Sequence, residues 1–358
     1  MNSRSPQTTL SGAPRTKEIP PAKPGIAVSF LIVNYNMRPL VESCVAGVVQ
    51  QMRDTGLAYE ILLGDNSSDP QFALTSESFP EARQVIFHKM EGAAGWIPAL
   101  NRLIPEARGR LVCIMHPDIE FGEDCVRRCV EYMDAHPEAG GVAPNPYRSD
   151  GGPSNARVSF PTPLSELKHV LNLLCRLMLR RTPFREFRSW DHAADAAVDS
   201  VLSFCYFCRS DLLREIGPIG GGLQSYYGND YLCMAARRKG RRVMYLAGPR
   251  IVHFERRAPR AAFSGAEVMR YKTSPIVGGV GMQRDRLRFI RHFYPPAAAA
   301  CIRALAAVEF TVHAAVAWIK GGGAATEDAR AYWRICGIAL RDPVPTERRT
   351  PSASSKEK

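Results

Sequence analysis

The chain has 358 residues, room for one large domain or two modest ones. Hydrophobic residues make up 45% and charged residues 23%, which excludes a disordered or fibrous chain and fits a packed core. The formal net charge is +12, which points to a polyanionic partner: an anionic membrane face, a phosphorylated substrate or a nucleic acid. No nucleic-acid-binding motif accompanies the charge, so nucleic acid is not expected. Ten Cys in a chain of this length do not read as a disulfide framework, and reduced thiols indicate the cytosol. Cys205-Tyr-Phe-Cys208 has no second pair to complete a zinc site and reads as an apolar strand.

Residues 1–24 are polar and proline-rich, without an apolar secretory core, and read as a disordered leader. The run Ile26–Val33 predicts a buried strand that stops at Asn34-Tyr35-Asn36, and a helix follows over about 39–53. Tyr59–Leu63 predicts a second strand, ended by Gly64-Asp65-Asn66-Ser67-Ser68-Asp69-Pro70. Val85–Phe87 is a third strand, 94–107 a helix, 111–115 a fourth strand and 123–135 another helix. This alternation implies a parallel sheet covered on both faces. Residues 144–163 read as a long loop, and 164–196 as a basic segment with a helical start. A strand over 198–207, a Gly-rich turn over 217–222, a helix from Tyr231 and a strand over 242–246 follow. The 262–295 stretch is mixed, 297–319 and 326–340 are helical, and the Pro/Ser-rich tail reads as disordered.

The acidic and amide-rich loops fall at the carboxyl ends of three strands, which is where α/β sheets bind ligands. Single loops of this kind are ordinary turn chemistry; three in phase with three strands indicate a site. Asp118, in His116-Pro117-Asp118, is placed to hold Mg2+ or Mn2+ that bridges a diphosphate, since one protein acid suffices beside substrate phosphates. His116, Glu120 and His253 are further candidate ligands; Glu120 would share the face of Asp118 in an extended segment. Asp230, after Gly228-Asn229, is either a helix cap or a general base.

These residues, in this order, resemble the family 2 inverting glycosyltransferases with a GT-A fold, and rhamnosyltransferase-type enzymes within them. The matching pieces are Val28–Asn36, Gly64–Asp69, Gly95-Trp96 with Ala99 and Asn101, His116–Glu120, Asp199–Phe207, Gly217–Gly222, Tyr227–Asp230, Val243–Leu246 and Ile251–His253. The resemblance implies a GT-A α/β domain over 25–260; beyond it, 261–342 reads as a helical extension that either packs on the domain or meets a membrane, and 343–358 as a disordered tail. It implies that Asp65 binds the nucleoside of a nucleotide-sugar, and that Asn34, Asn36, Gly95, Trp96 and Asn101 flank the donor. It makes Asp118 the retained acid of a D-x-D-like metal motif and Asp230 the base that deprotonates the acceptor hydroxyl. The acceptor implied is lipid-linked or a polysaccharide, in cell-envelope polysaccharide synthesis at the cytoplasmic membrane face. The chain departs from the family pattern at His116 and Ala93, where Asn is usual, at Asn229, where Glu is usual, and at Leu232, where an acid is usual. A catalytically degenerate GT-A nucleotide-sugar-binding protein is the alternative these departures favour.

No membrane span is expected, because Arg303 and Glu309 interrupt the apolar stretch 297–319. Its apolar residues recur at helical spacing, so it is expected either to pack on the domain or to lie in the interface of an anionic membrane. The basic clusters at 176–188 and 256–260 favour the membrane.

Overall fold

A computed structural model describes residues 25–341 except 54, 80–83, 91–94, 153, 155–156, 182, 185–192, 203–204, 255–274 and 321–322. The leader, the tail and the basic cluster at 256–260 lie outside the described residues. The chain begins with β1 (Ile26–Asn34), α1 (Arg38–Arg53), β2 (Ala58–Asp65), β3 (Val85–Lys89), α2 (Trp96–Leu103) and β4 (Leu111–Met115). Next come β5 (Ile119–Phe121), α3 (Cys125–Ala135), β6 (Ala139–Arg148), β7 (Arg157–Val158) and α4 (Pro163–Leu179). β8 (Ala196–Val198), β9 (Ser200–Val201), β10 (Cys205–Arg209), α5 (Ser210–Ile216), α6 (Gly228–Arg238) and β11 (Arg242–His253) follow. Three helices close the described chain: α7 (Pro275–Phe293), α8 (Pro296–Lys320) and α9 (Gly323–Arg341).

β1, β2 and β4 are continuous apolar runs because both faces of each are covered. Side chains alternate between those faces. Phe30, Ile32, Ile61, Leu63, Cys113 and Met115 meet the stripe Val41, Cys44, Val45 and Val48 of α1, together with α3. Leu31, Val33, Leu62 and Ile114 face α2, α6 and α7. Each such side chain contributes about 1.5–3 kcal/mol relative to exposure. That burial, rather than the helix propensity of its Val and Cys residues, holds α1 in place.

The sheet runs β3-β2-β1-β4-β10-β6-β11-β5, with β8 paired to β11. The expected parallel order holds for β3, β2, β1 and β4. Beyond β4 the sheet is mixed: β11 is parallel to β6, but β10 is antiparallel to both β4 and β6, and β5 is antiparallel to β11. The loop expected from 144 begins inside β6, whose residues Pro144 and Pro146 lie in the strand. β10 pairs with β6 only at Gly141 and Val142, so both prolines lie beyond its last rung on that side. The strand expected over 198–207 is divided among β8, β9 and β10. The expected end at Leu246 is a register irregularity between Leu246 and Arg250, after which β11 continues to His253. All ten cysteines are free, and Cys205 and Cys208 are buried on β10, as an apolar strand requires.

The mixed stretch before residue 295 contains α7. Its Leu287, Phe289, Ile290 and Phe293 join Leu31, Ile114 and Leu232 in one core, as do Ala299 and Ile302 of α8 and Cys336 and Ala339 of α9. By length and composition Pro296–Ile319 is long and apolar enough to cross a membrane, contrary to the sequence expectation, and a third of its most apolar window is buried in the protein. Length and composition alone are weak evidence for a span, because a core helix has the same features.

Candidate active site

β4 ends at Met115, and the turn His116-Pro117-Asp118 leads into β5. Antiparallel pairing sets Ile119 opposite His253, the last residue of β11, and the N–H of Phe254 donates to the Asp118 carbonyl at 3.0 Å. This register carries the imidazole of His253 to the acid: its Nε2 is 3.2 Å from Asp118 Oδ2. His116 Nδ1 lies 4.0 Å from Asp118 Oδ1. The three side chains present one ligand atom each, all within 4.8 Å of one another, and Asp118 is only 6% exposed. Two imidazoles and one carboxylate form a donor set suited to a divalent metal, with open positions for phosphate oxygens and water. Glu120 does not join them. It faces Val252 across the β5–β11 pair with its side chain exposed, so the expected shared face with Asp118 is not realised.

The loops after β1 and β2 are tied to each other. Asn34 and Asp65 are register partners, and the Asn34 amide donates to Asp65 Oδ1 at 2.8 Å, to Ser67 Oγ and to the Phe72 carbonyl. Asp65 also accepts from the N–H and hydroxyl of Ser67 and from the N–H of Leu74. Asn36, at φ 54°, accepts from the N–H groups of Ser68 and Asp69 and donates to Ser68. In this structure, therefore, Asn34, Asn36 and Asp65 spend their polar atoms on loop architecture. Ser67 and Ser68 share that architecture.

Gly95 precedes α2 and lies against the loop before α6: a Cβ there would meet the Gln224 carbonyl oxygen at 2.3 Å. The same carbonyl accepts from the N–H of Ile97 at 2.9 Å. The Trp96 ring stands edge-on to His116, with centroids 5.1 Å apart, and its Nε1 is buried without a hydrogen-bond partner among the described residues. On its other side Trp96 packs on Gly228, where an added Cβ would meet its ring at 3.1 Å. Asn101 is committed elsewhere, with its amide closing two hydrogen bonds on the backbone of Ile219. It anchors the glycine-rich turn instead of facing a ligand.

Asp230 lies in the first turn of α6, two residues after Gly228. Burial pushes its carboxyl up to about 6, against the pull of the Ser200 hydroxyl, which favours the charged form. Partial access to solvent remains. Its charge in turn helps to raise Tyr227, Cys233 and Tyr294. Asn229, 1% exposed, leaves both amide atoms without a partner among the described residues. The Trp96 ring thus lies between His116 of the metal-type donors and Gly228, two residues before Asp230 at the start of α6.

The mixed α/β sheet with these loops at its strand ends is the GT-A architecture of nucleotide-sugar transferases, extended by C-terminal helices. Residues 29–205 match the model of glycosyl transferase family 2, and this segment, about half of the chain, is a domain of that family. No curated protein sequence matches the chain. Among solved structures, the mannosyltransferase PcManGT from Pyrobaculum calidifontis in complex with GDP-Man and Mn2+ is 14% identical, with 87% of this chain and 86% of that chain covered and a TM-score of 0.49. S. aureus TarS 1-349 in complex with UDP-GlcNAc is 12% identical, with coverages of 88% and 81% and a TM-score of 0.49. GalNAc-T7 with UDP, GalNAc and Mn2+ is 15% identical over 69% of this chain, at a TM-score of 0.48, and the chain spans about half (47%) of that protein.

Proposed function

We propose that this chain moves a sugar from a nucleotide-diphospho-sugar to a hydroxyl of a lipid-linked or polysaccharide acceptor, with inversion at the anomeric carbon. The observation that carries the reading is the chain of contacts from the His116–Asp118–His253 group through Trp96 to Gly228, which opens the helix that carries Asp230 two residues on. Asp118, His116 and His253 would hold the metal, and two nitrogens beside one oxygen fit Mn2+ better than Mg2+. The ion would neutralise charge developing on the departing diphosphate. Trp96, between the two halves, would bound the sugar, and its indole N–H supplies a donor. The first two loops, set by Asn34, Asn36 and Asp65, would receive the nucleoside.

Asp230 would take the proton of the acceptor hydroxyl as its oxygen bonds to the anomeric carbon from the face opposite the leaving group. The bond from that carbon to the diphosphate oxygen breaks with its electron pair, and nucleoside diphosphate departs. A carboxyl near 6 is ionised at neutral pH and more basic than an ordinary Asp, which suits a general base.

The acceptor would be met at the cytoplasmic membrane face, with 25–260 as the catalytic unit and 261–342 as its helical partner. Leu177, Met178 and Leu179 at the end of α4, and Trp318 and Ile319 near the end of α8, are exposed large apolar residues. The two helices pack together, and the Arg176 charge reaches His313 of α8. Exposed Arg176, Arg180 and Arg181 add cations to the apolar tip, as an anionic interface requires. Incubation with a panel of nucleotide-sugars and Mn2+ tests the function through release of nucleoside diphosphate. Binding without release from any donor, with every acceptor class supplied, would favour the degenerate binding protein instead.

A further inference from the structure

We propose that Asp285 of α7 is a positioning residue for the Asp230 base. The inference rests on the role of Asp230 proposed above. One carboxylate oxygen of Asp285, Oδ2, accepts from three consecutive backbone N–H groups: Gln224 at 3.1 Å, Ser225 at 2.9 Å and Tyr226 at 3.0 Å. Asp285 is 2% exposed, and Arg288 Nη1 stands 3.7 Å from its other oxygen. Successive N–H groups turned toward one oxygen form an anion nest, here filled by the protein's own side chain. The nest faces the strand of chain that enters α6, where Tyr227 takes φ 62° immediately before the helix.

The opposite side of the same loop is pinned as well. The Gln224 carbonyl receives the Ile97 N–H and crowds Gly95, at the start of the helix that carries Trp96. Residues 224–226 therefore sit between Asp285 and the Gly95–Ile97 segment, and they set where α6 begins and where Asp230 points. A displacement of about 1 Å at a reacting group costs on the order of 10²-fold in rate. In sequence, Asp285 falls in the mixed stretch 262–295 among Arg284, Arg286 and Arg288, and nothing there shows that its acid turns inward.

The test is steady-state kinetics and the pH profile of kcat for Asp285→Ala, Asp285→Asn and Gly95→Ala. Asp285→Ala should lower kcat about 100-fold and leave Mn2+-dependent nucleoside diphosphate affinity within about threefold. It should also move the acidic midpoint of the kcat profile from near 6 toward the ordinary carboxyl range, as Asp230 gains solvent. Asp285→Asn keeps an accepting oxygen and should recover most of the rate. Gly95→Ala pushes the loop from the other side and should reproduce the kcat loss, which keeps the test open if Asp285→Ala does not fold. Amide hydrogen exchange at 224–226 should accelerate in Asp285→Ala. Lowered stability with an unshifted pH midpoint and unchanged kcat would overturn the proposal. An Asp230→Asn protein with wild-type turnover would instead remove the base assignment, and the exchange result would then judge the loop anchor by itself.

Discussion

His253 Nε2 lies 3.2 Å from Asp118 Oδ2, although one residue ends β11 and the other follows β4. The antiparallel β5–β11 pair makes this meeting possible, because it sets Ile119 opposite His253. The contact turns a lone acid in a turn into a three-ligand group with His116.

Loss of one charge from that group should remove metal-dependent binding without unfolding the sheet. Asp118→Asn should weaken nucleoside diphosphate affinity in Mn2+ by at least tenfold in calorimetric titration, and His253→Ala should weaken it by about 10–100-fold. Glu120→Gln should leave it unchanged, because Glu120 is exposed and apart from the group. Mn2+ should support tighter binding than Mg2+.

Asp230→Asn should lower turnover by about 10²–10⁴-fold while donor binding persists. In the wild type, kcat should rise with pH through about 6, where the carboxyl ionises beside Ser200, Tyr227, Cys233 and Tyr294, with the Glu166–Arg286 pair acting on the two tyrosines. The stability effect has the opposite sense. A carboxyl whose pKa is raised by folding binds its proton more tightly in the native state, so its contribution is favourable below about 4 and is lost as pH rises through about 6. Asp230→Asn should therefore raise Tm at pH 8, and the gain should shrink at pH 4.

Asn101→Ala should act on stability before it acts on donor binding. Both polar ends of the amide are bonded to Ile219, and removing them should cost about 1–3 kcal/mol. Chemical denaturation measures the loss; nucleoside diphosphate affinity should change by less than threefold.

The paired substitutions Met178→Ser with Leu179→Ser, and Trp318→Ser with Ile319→Ser, remove exposed apolar surface and should spare the core. Each pair should reduce co-sedimentation with anionic vesicles at low salt. Binding should fall as salt rises, since each cation near the surface adds about 1 kcal/mol that salt screens. Equal binding to neutral vesicles would remove the electrostatic part.

Much of this architecture was legible in sequence where one local signal sufficed. The apolar runs of β1, β2 and β4 each stop at a polar turn, and those turns lie at the strand ends that carry Asn34, Asp65 and Asp118. β6 was hidden because Pro144 and Pro146 argue against a strand, and only its position beyond the last β10 rung makes them tolerable. The end of β11 was hidden because Ala247-Gly248-Pro249 reads as a terminator, whereas the strand absorbs it as an irregularity. The inward turn of Asp285 depends on backbone N–H groups some sixty positions away, which no local pattern records. Asn101 was recognised as a site residue from its motif, yet its hydrogen bonds belong to the turn beside the site.

The most direct test of the account crosses two variants with two readouts. Nucleoside diphosphate binding in Mn2+, and its release from nucleotide-sugar in the presence of acceptor, are measured for wild type, Asp118→Asn and Asp230→Asn. The account predicts that Asp118→Asn loses both binding and release, whereas Asp230→Asn binds as wild type and loses release alone. Full binding by Asp118→Asn, or wild-type release by Asp230→Asn, would contradict it.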